Sequence, residues 1–363
     1  MYSFFKKYRA LYIWFLAALT AALLFHILKG NKGLMTFIAD NVTSHIKSFL
    51  MKISYLFSFS LAEPMVIIVV VGILIILIVY VCRIIRGGNR LSSLWKLLLI
   101  LTSGTLSIYS VLCFMFGVNY YADNFQNRSG IYSSECTVDE LYELTVRFAE
   151  KASEYGKGIE RNSENVFSVS QDDFFSESVY VYSDVEEKYP FLFQTSYVPK
   201  KLLLSKLLSY TNFTGFYFPF TAEANINSDA PDFLMPFTIA HEMAHQRGVA
   251  SEDEANFVGI LACITCGNDV YTYSGYLGGY IYLSNALYSA NYELWQLARE
   301  RLSDECIADL TYNSSYWSEY MTPVAKVSEA VYDDFLKSYG NESGTRSYGE
   351  VVDLLTAYFD RPD

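Results

Sequence analysis

The sequence has little charge and only four histidines, and acidic residues are almost missing from its first third. Only 18% of the 363 residues are charged while 52% are apolar, which excludes an intrinsically disordered chain. The net charge of −12 excludes a general nucleic-acid-binding protein. Residues 1–118 contain 11 Lys and Arg but only two acids, Asp40 and Glu63. A basic first part is therefore joined to a strongly acidic remainder, which excludes a single soluble globule.

Three apolar runs in the basic part reach the length of a membrane-spanning helix, about 20 mostly apolar residues. They cover about residues 11–28, 65–82 and 94–118. The first has a long apolar core and no small-residue cleavage site after it, which favours an uncleaved anchor over a signal peptide. Basic residues are dense at the N-terminus and in the loop Arg83–Lys96, and such loops stay in the cytoplasm.

We therefore expect a multi-pass protein of the cell membrane, with an anchor over residues 1–118 and a cytoplasmic N-terminus. Residues 119–363 then form an extracytoplasmic domain. In the first loop, apolar residues from Leu34 to Leu56 recur at helical spacing, which indicates an amphipathic helix at the membrane surface or packed on the domain. The lipid bilayer is an expected partner, and nucleic acid is not.

The acidic domain has a mainly helical pattern with one strand-like interruption, so we expect a mainly α fold with a small edge-strand region. Thr137 and Glu140 form a capping box at a helix start. The stretch Asn162–Ser178 has no period and is typical of a loop. Gly215–Asn227 predicts an extended strand, which Pro219 places at a sheet edge because proline cannot donate to a ladder. Helical periodicity continues in Pro231–Gln246, Ser251–Cys266, Tyr273–Tyr288, Thr322–Tyr339 and Tyr348–Phe359.

Four cysteines lie in this domain: Cys136, Cys263, Cys266 and Cys306. An even number outside the cytoplasm is compatible with disulfides, in three possible pairings. Cys263 and Cys266 form a C-x-x-C pair late in a helical pattern, with no βαβ unit around it. This favours buried packing or a structural disulfide over a redox or zinc role.

The strongest chemical signal is the sequence HEMAH, in which His241, Glu242 and His245 form an H-E-x-x-H motif. Residues i and i+4 lie one turn apart on one helix face, so both imidazoles can bind one Zn²⁺ ion. Glu242 then lies beside the metal without binding it, where it can take a proton from a water molecule on the zinc. Pro236 can begin this helix and Gly248 can end it.

A catalytic zinc site needs a third protein ligand, for which Glu252 and Glu254 are nearest. Asn256 lies one helical turn after Glu252 on the same face, where its amide can orient a ligand or bond a histidine N–H. Glu254 is rotated about half a turn away. We therefore favour Glu252 and keep Glu254 as the alternative.

The extended stretch before the motif also has a functional interpretation. An edge strand in a peptidase cleft can hold the substrate backbone extended by main-chain hydrogen bonds. Glu223, Asn225 and Asn227 alternate along it and can point into the site. They suit equally well the role of turn and cap residues that lead into the helix.

The segments HEMAHQRGVASEDEAN, GFYFPFTAEANIN and PFTIA resemble a family of bacterial membrane proteins, domain-of-unknown-function family 3810. GVNYY, YSGYL and SYGEVVDLL extend the resemblance over essentially the whole chain. The E-x-x-A-N pattern is similar to the second motif of other H-E-x-x-H peptidases that have a glutamate ligand. The resemblance implies a zincin-like metallopeptidase, with Glu252 as zinc ligand and Glu242 as general base. The short interval from His245 to Glu252 keeps Glu254 open, while Ser251 stands where metzincins have their third histidine and excludes a three-histidine site.

The sequence thus predicts a membrane-anchored, Zn²⁺-dependent metallopeptidase that acts on peptides or proteins at the cell envelope. Glu242 would deliver the water proton to the leaving amine, and the tyrosines of Tyr273–Tyr282 are candidates for oxyanion stabilisation. Two alternatives stay open at this point. One is a membrane-bound sensor or envelope scaffold that keeps a zinc site without hydrolysis, and the other is a non-peptidase zinc hydrolase.

Overall fold

The structure is a computed structural model of the chain. It describes residues 8–87, 89–134, 136–338 and 348–360, so the expected helix end at Tyr339 lies outside the described residues. As the sequence predicts, the chain is mainly helical and contains a small sheet. It divides into two compact units.

The first unit contains the chain up to Leu50, Leu61–Asp123 and Pro219–Thr221. The first six helices are α1 Arg9–Leu28, α2 Lys32–Ile38, α3 Ser44–Ser54, α4 Ala62–Ile85, α5 Arg90–Leu112 and α6 Val118–Tyr121. Helices α1, α4 and α5, the last continuing to Tyr121, are long and apolar enough to cross a membrane. The helix expected in the first loop is present. It consists of α2 and α3, which a π-helical turn at Ala39–Thr43 joins into one continuous helical segment.

The second unit contains Met51–Ser60, Asn124–Phe218 and the chain from Ala222 onward. Its helices are α7 Phe125–Ser129, α8 Val138–Gly156, α9 Gln171–Glu177, α10 Ser183–Lys188, α11 Ser205–Ser209, α12 Met235–Gln246, α13 Glu252–Thr265, α14 Asp269–Ala290, α15 Tyr292–Arg299, α16 Asp304–Glu319, α17 Pro323–Ser338 and α18 Tyr348–Phe359.

Two local predictions for this unit have different outcomes. The capping box at the start of α8 is confirmed, since Thr137 Oγ1 accepts from the Glu140 N–H and the Glu140 carboxylate accepts from the Thr137 N–H. The loop prediction is wrong over Gln171–Glu177, which forms α9. There Phe174 and Phe175 are buried in the core, and this tertiary burial favours a helix that the local pattern does not show.

The sheet of the described residues has three strands, β1 Lys200–Lys201, β2 Gly215–Phe218 and β3 Glu223–Ile226, in the order β1-β3-β2. β1 is parallel to β3, and β2 is antiparallel to it. The single edge strand expected over 215–227 is therefore a hairpin with Pro219 in its turn. β3 is the central strand and β2 lies at the edge, because a distant two-residue strand covers the other side of β3.

The helices that carry the sequence motif approach each other closely. A Cβ on Gly259 of α13 would lie 3.1 Å from the His241 nitrogen and 3.2 Å from its Cα on α12. A larger residue at this position would push the two helices apart. The cysteines are free thiols, and Cys263 and Cys306 are buried, which agrees with a packing role for these two.

Candidate metal centre

The sequence around the motif forms its helix in the expected way. Pro236 lies in the first turn of α12, where a backbone N–H has no partner within the helix, so proline costs no helical hydrogen bond. Gly248 follows the helix with a φ of 92°, a conformation that glycine adopts without strain. Helix α12 thus places His241 and His245 one turn apart.

The two imidazoles and one carboxylate face a common point. His241 Nε2 lies 3.2 Å from His245 Nε2 and 3.2 Å from Glu252 Oε2. His245 Nε2 lies 3.5 Å from Glu252 Oε1. The three ligand atoms lie within 4.8 Å of one another, so His241, His245 and Glu252 form a group that can hold a metal ion.

The charges of this group favour a cation between its members. Two imidazole nitrogens at 3.2 Å repel if both present lone pairs, so a proton or a metal ion must be shared there. Burial alone lowers the pKa of His245, but the carboxylates of Glu252 and Glu242 outweigh it and raise that pKa to about 9. Burial alone raises the pKa of Glu252, yet the two imidazoles hold it well below its usual range. The residues present therefore fit a bound metal cation.

The outer nitrogens of the two histidines differ in their surroundings. His245 Nδ1 lies 2.7 Å from the Val249 carbonyl, so this nitrogen carries the proton and Nε2 is left for a metal. His241 Nδ1 is buried and has no hydrogen-bond partner among the described residues. Asn256 lies one turn after Glu252 as expected, but its side chain makes no hydrogen bond to another described residue. Its role as an orienting amide stays a prediction.

Glu254, the alternative ligand, has different partners. Its Oε2 accepts a hydrogen bond from the Phe125 N–H and its Oε1 from the Gln126 N–H, each at 3.1 Å. These are the first amides of α7, where a carboxylate is favoured. Glu254 is 2% exposed, and burial raises its pKa. Its carboxylate thus binds the start of α7, while that of Glu252 faces the histidines.

Glu242 is buried between α12 and β2. It accepts a hydrogen bond from the Tyr217 N–H, and a Cβ on Gly215 would lie 3.0 Å from its Oε1. Only glycine allows β2 to come so close to the carboxylate. Burial raises the pKa of Glu242, so this carboxyl group holds a proton at a higher pH than an exposed glutamate does.

The residues expected along a substrate strand lie in or next to β3. Glu223, Asn225 and Asn227 are all fully buried. The Asn227 amide donates to Ser209 Oγ, and the Asn225 amide donates to the Glu223 carbonyl. The edge position expected for these residues is wrong, and the edge strand beside Glu242 is β2.

Sequence reasoning missed Tyr332 of α17. Its hydroxyl donates to Glu252 Oε1 at 2.5 Å, and its ring packs edge-on against Phe213. Tyr273, from the tyrosines considered for oxyanion stabilisation, donates instead to the buried Asp309. Tyr332 is separated from Glu252 by 80 residues and lies in an ordinary helical pattern, so no local motif marks it.

Arg247 fixes the end of the motif helix and was also missed. Its buried guanidinium donates to Glu186 Oε1 and to Ser196 Oγ, and it lies 3.8 Å from the centroid of the Tyr182 ring. The Tyr182 hydroxyl donates to the Ala240 carbonyl at 2.6 Å. These contacts hold the two turns of α12 that carry the histidines.

Comparison with known families assigns the chain to one family. Residues 39–356 match the model of the family described as a protein of unknown function, DUF3810. Because the match covers most of the chain, the chain belongs to this family, as its motifs suggest. No curated protein and no solved structure matches the chain.

Proposed function

We propose that the chain is a membrane-anchored zinc metallopeptidase that hydrolyses peptide bonds outside the cytoplasmic membrane. The observation that carries the proposal is the convergence of His241, His245 and Glu252 beside a separate buried carboxylate, Glu242. Three ligands with a neighbouring base are the parts that metal-assisted hydrolysis requires.

The donor set suits zinc. Two imidazole nitrogens and one carboxylate are a ligand set of catalytic zinc, which keeps a fourth position for water or substrate. A zinc ion held by His241, His245 and Glu252 would lower the pKa of a water molecule toward neutrality and polarise the scissile carbonyl. His245 is oriented for binding, since its Nδ1 is bonded to the Val249 carbonyl.

Glu242 moves the proton in this mechanism. Its carboxylate takes a proton from the attacking water and delivers it to the leaving amine. Because burial raises the pKa of Glu242, the protonated form needed for the second step is more accessible than for an exposed glutamate. The hydrogen bond from the Tyr217 N–H holds the carboxylate against β2.

The orientation of β2 supports a peptide as substrate. The Thr214 carbonyl accepts from the Asn227 N–H, so the antiparallel alternation turns the main-chain groups of Gly215 and Tyr217 away from β3. Tyr217 reaches Glu242 on that outer side. The Tyr217 N–H is bonded to Glu242, so an extended peptide would pair with the main chain of Gly215 and pass directly beside the base. A small non-peptide substrate needs no such strand. The strand therefore favours a peptidase over a non-peptidase zinc hydrolase.

Tyr332 acts as a positioning residue in the proposal. It holds Glu252 Oε1, while Oε2 of the same carboxylate lies toward His241. A hydrogen bond to one oxygen limits rotation of the carboxylate and keeps the other oxygen directed at His241, where it would bind the ion.

Glu242→Gln tests the proposal, with Glu187→Gln as a matched control at an exposed glutamate. Peptide turnover should fall by about 10²–10⁴-fold in Glu242→Gln, because the general base is lost. Its zinc content and melting temperature should equal those of the wild type, and Glu187→Gln should retain all three properties. Normal turnover in zinc-loaded Glu242→Gln would refute the mechanism. Envelope fragments that disappear from cells with this variant would identify substrates.

A further inference from the structure

Six exposed apolar side chains of the second unit lie in two short segments, residues 56–59 and 203–207. Leu56, Leu203 and Leu207 are 80%, 81% and 62% exposed. Exposed apolar side chains that lie together mark an interaction site, whereas singly scattered ones need no explanation. The leucine surface, as we call it, consists of Leu56, Phe57, Phe59, Leu203, Leu204 and Leu207.

Ring stacking, a cation–π contact and a hydrogen bond join the two segments that form the leucine surface. The ring of Tyr55 stacks on that of Tyr197, with centroids 4.6 Å apart. Lys200 Nζ lies 4.4 Å from the centroid of the Tyr55 ring and donates to the Phe57 carbonyl. The segment before α4 is thus fixed beside the segment that leads into α11.

The chain enters a candidate membrane span directly after the leucine surface. Phe59 precedes Ala62, the first residue of α4, by three positions, which an extended chain covers in at most about 11 Å. The 24 residues of α4 rise about 36 Å, against a hydrocarbon core of about 30 Å. Little of α4 can therefore project from the bilayer, and Phe59 must lie close to the bilayer surface.

We propose that the leucine surface docks on the lipid bilayer, with its apolar side chains at the boundary between headgroups and acyl chains. The charges favour lipid as the occupant. Lys206 is exposed next to Leu207, where its ammonium can contact phosphate headgroups. Residues 119–363 are strongly acidic, so a second copy of the chain would be repelled.

The test uses the full chain in nanodiscs of phosphatidylcholine and phosphatidylglycerol that contain a lipid with a photoactivatable group near its headgroup. Mass spectrometry then locates the labelled peptides. Helix α4 is the positive control, and the surface around Tyr288 and Tyr292, which are 54% and 52% exposed, is the matched negative control. We expect residues 202–208 to be labelled several-fold more than residues 285–297. Equal labelling of these two peptides would overturn the proposal.

A double variant, Leu203→Asp with Leu207→Asp, checks the side chains directly. Labelling of residues 202–208 should fall to the level of the negative control, while α4 labelling and the melting temperature stay unchanged. Undiminished labelling in this variant, or cross-links between two copies through Leu203 and Leu207 in place of lipid adducts, would contradict lipid docking. The wild-type measurement decides the question even if the variant does not fold. Since the readout is lipid contact and not turnover, the result is independent of the proposed peptidase activity.

Discussion

Replacement of Glu252 and of Glu254 by alanine should have different effects on zinc binding, although the two residues lie on the same turn of α13. Glu252 faces the histidines, while Glu254 binds the first amides of α7. Glu252→Ala removes one of the three proposed metal ligands, and two protein ligands rarely hold a catalytic metal. We expect stoichiometric zinc to be lost in Glu252→Ala and retained in Glu254→Ala.

The effects on stability separate the two residues further. Glu254→Ala leaves the buried Phe125 N–H without its partner, which costs about 1–3 kcal/mol of unfolding free energy. At about 2–4 °C per kcal/mol for a domain of this size, the melting temperature should fall by about 2–12 °C. Zinc at 100 times its Kd stabilises a one-site protein by about 2.7 kcal/mol, and this stabilisation should be missing in Glu252→Ala.

The assay is zinc content by elemental analysis together with thermal melting of the purified full chain, in zinc and in a chelator. Wild type and Glu254→Ala should melt at a higher temperature in zinc than in the chelator, and Glu252→Ala should not. If Glu254→Ala lost zinc while Glu252→Ala kept it, the ligand assignment would be refuted, because the carboxylate at α7 would then be the one that binds the metal.

Three further results are expected. Gly215→Ala places a Cβ 2.9 Å from the Asn225 carbonyl oxygen and 3.0 Å from Glu242 Oε1, which costs about 1–3 kcal/mol of overpacking. The displaced Glu242 carboxylate should lower kcat about 10-fold or more, while the zinc content of the same preparation stays unchanged. Tyr332→Phe should weaken zinc binding by about 10–100-fold in a competition titration, because the Glu252 carboxylate loses its orienting bond; unchanged zinc affinity would show that the contact does not position the ligand. A reporter fused after Asp363 should report an extracytoplasmic location. A cytoplasmic signal would contradict both the proposed topology and the proposed site of action.

The parts of the site that the sequence predicts depend on residues close together in the chain. His241 and His245 are one helical turn apart, and Glu252 and Asn256 follow the same rule on the next helix. A period of 3.6 residues fixes these relations before any tertiary packing. The capping box at Thr137 is also predictable from the sequence, because its two residues are only three positions apart in the chain.

The parts that the sequence does not predict depend on pairings between distant segments. Tyr332 reaches Glu252 across 80 residues, and no periodicity encodes that contact. β3 is central only because Lys200 and Lys201 pair with it from a segment with no strand pattern of its own. The pattern over 215–227 predicts one strand where the structure has a hairpin, since alternation alone does not show where a chain reverses.

The three-stranded sheet also sets a distance. Neighbouring strands are about 4.8 Å apart, so β1 and β2 lie about 10 Å from each other across β3. β1 carries Lys200, which is bonded to the leucine surface, and the outer side of β2 faces Glu242. If the leucine surface docks on lipid and Glu242 acts as the base, as proposed, this short spacing limits how far the reacting bond can lie from the membrane. The proposed peptidase would then favour substrate segments that are held near the bilayer over segments that lie far from it.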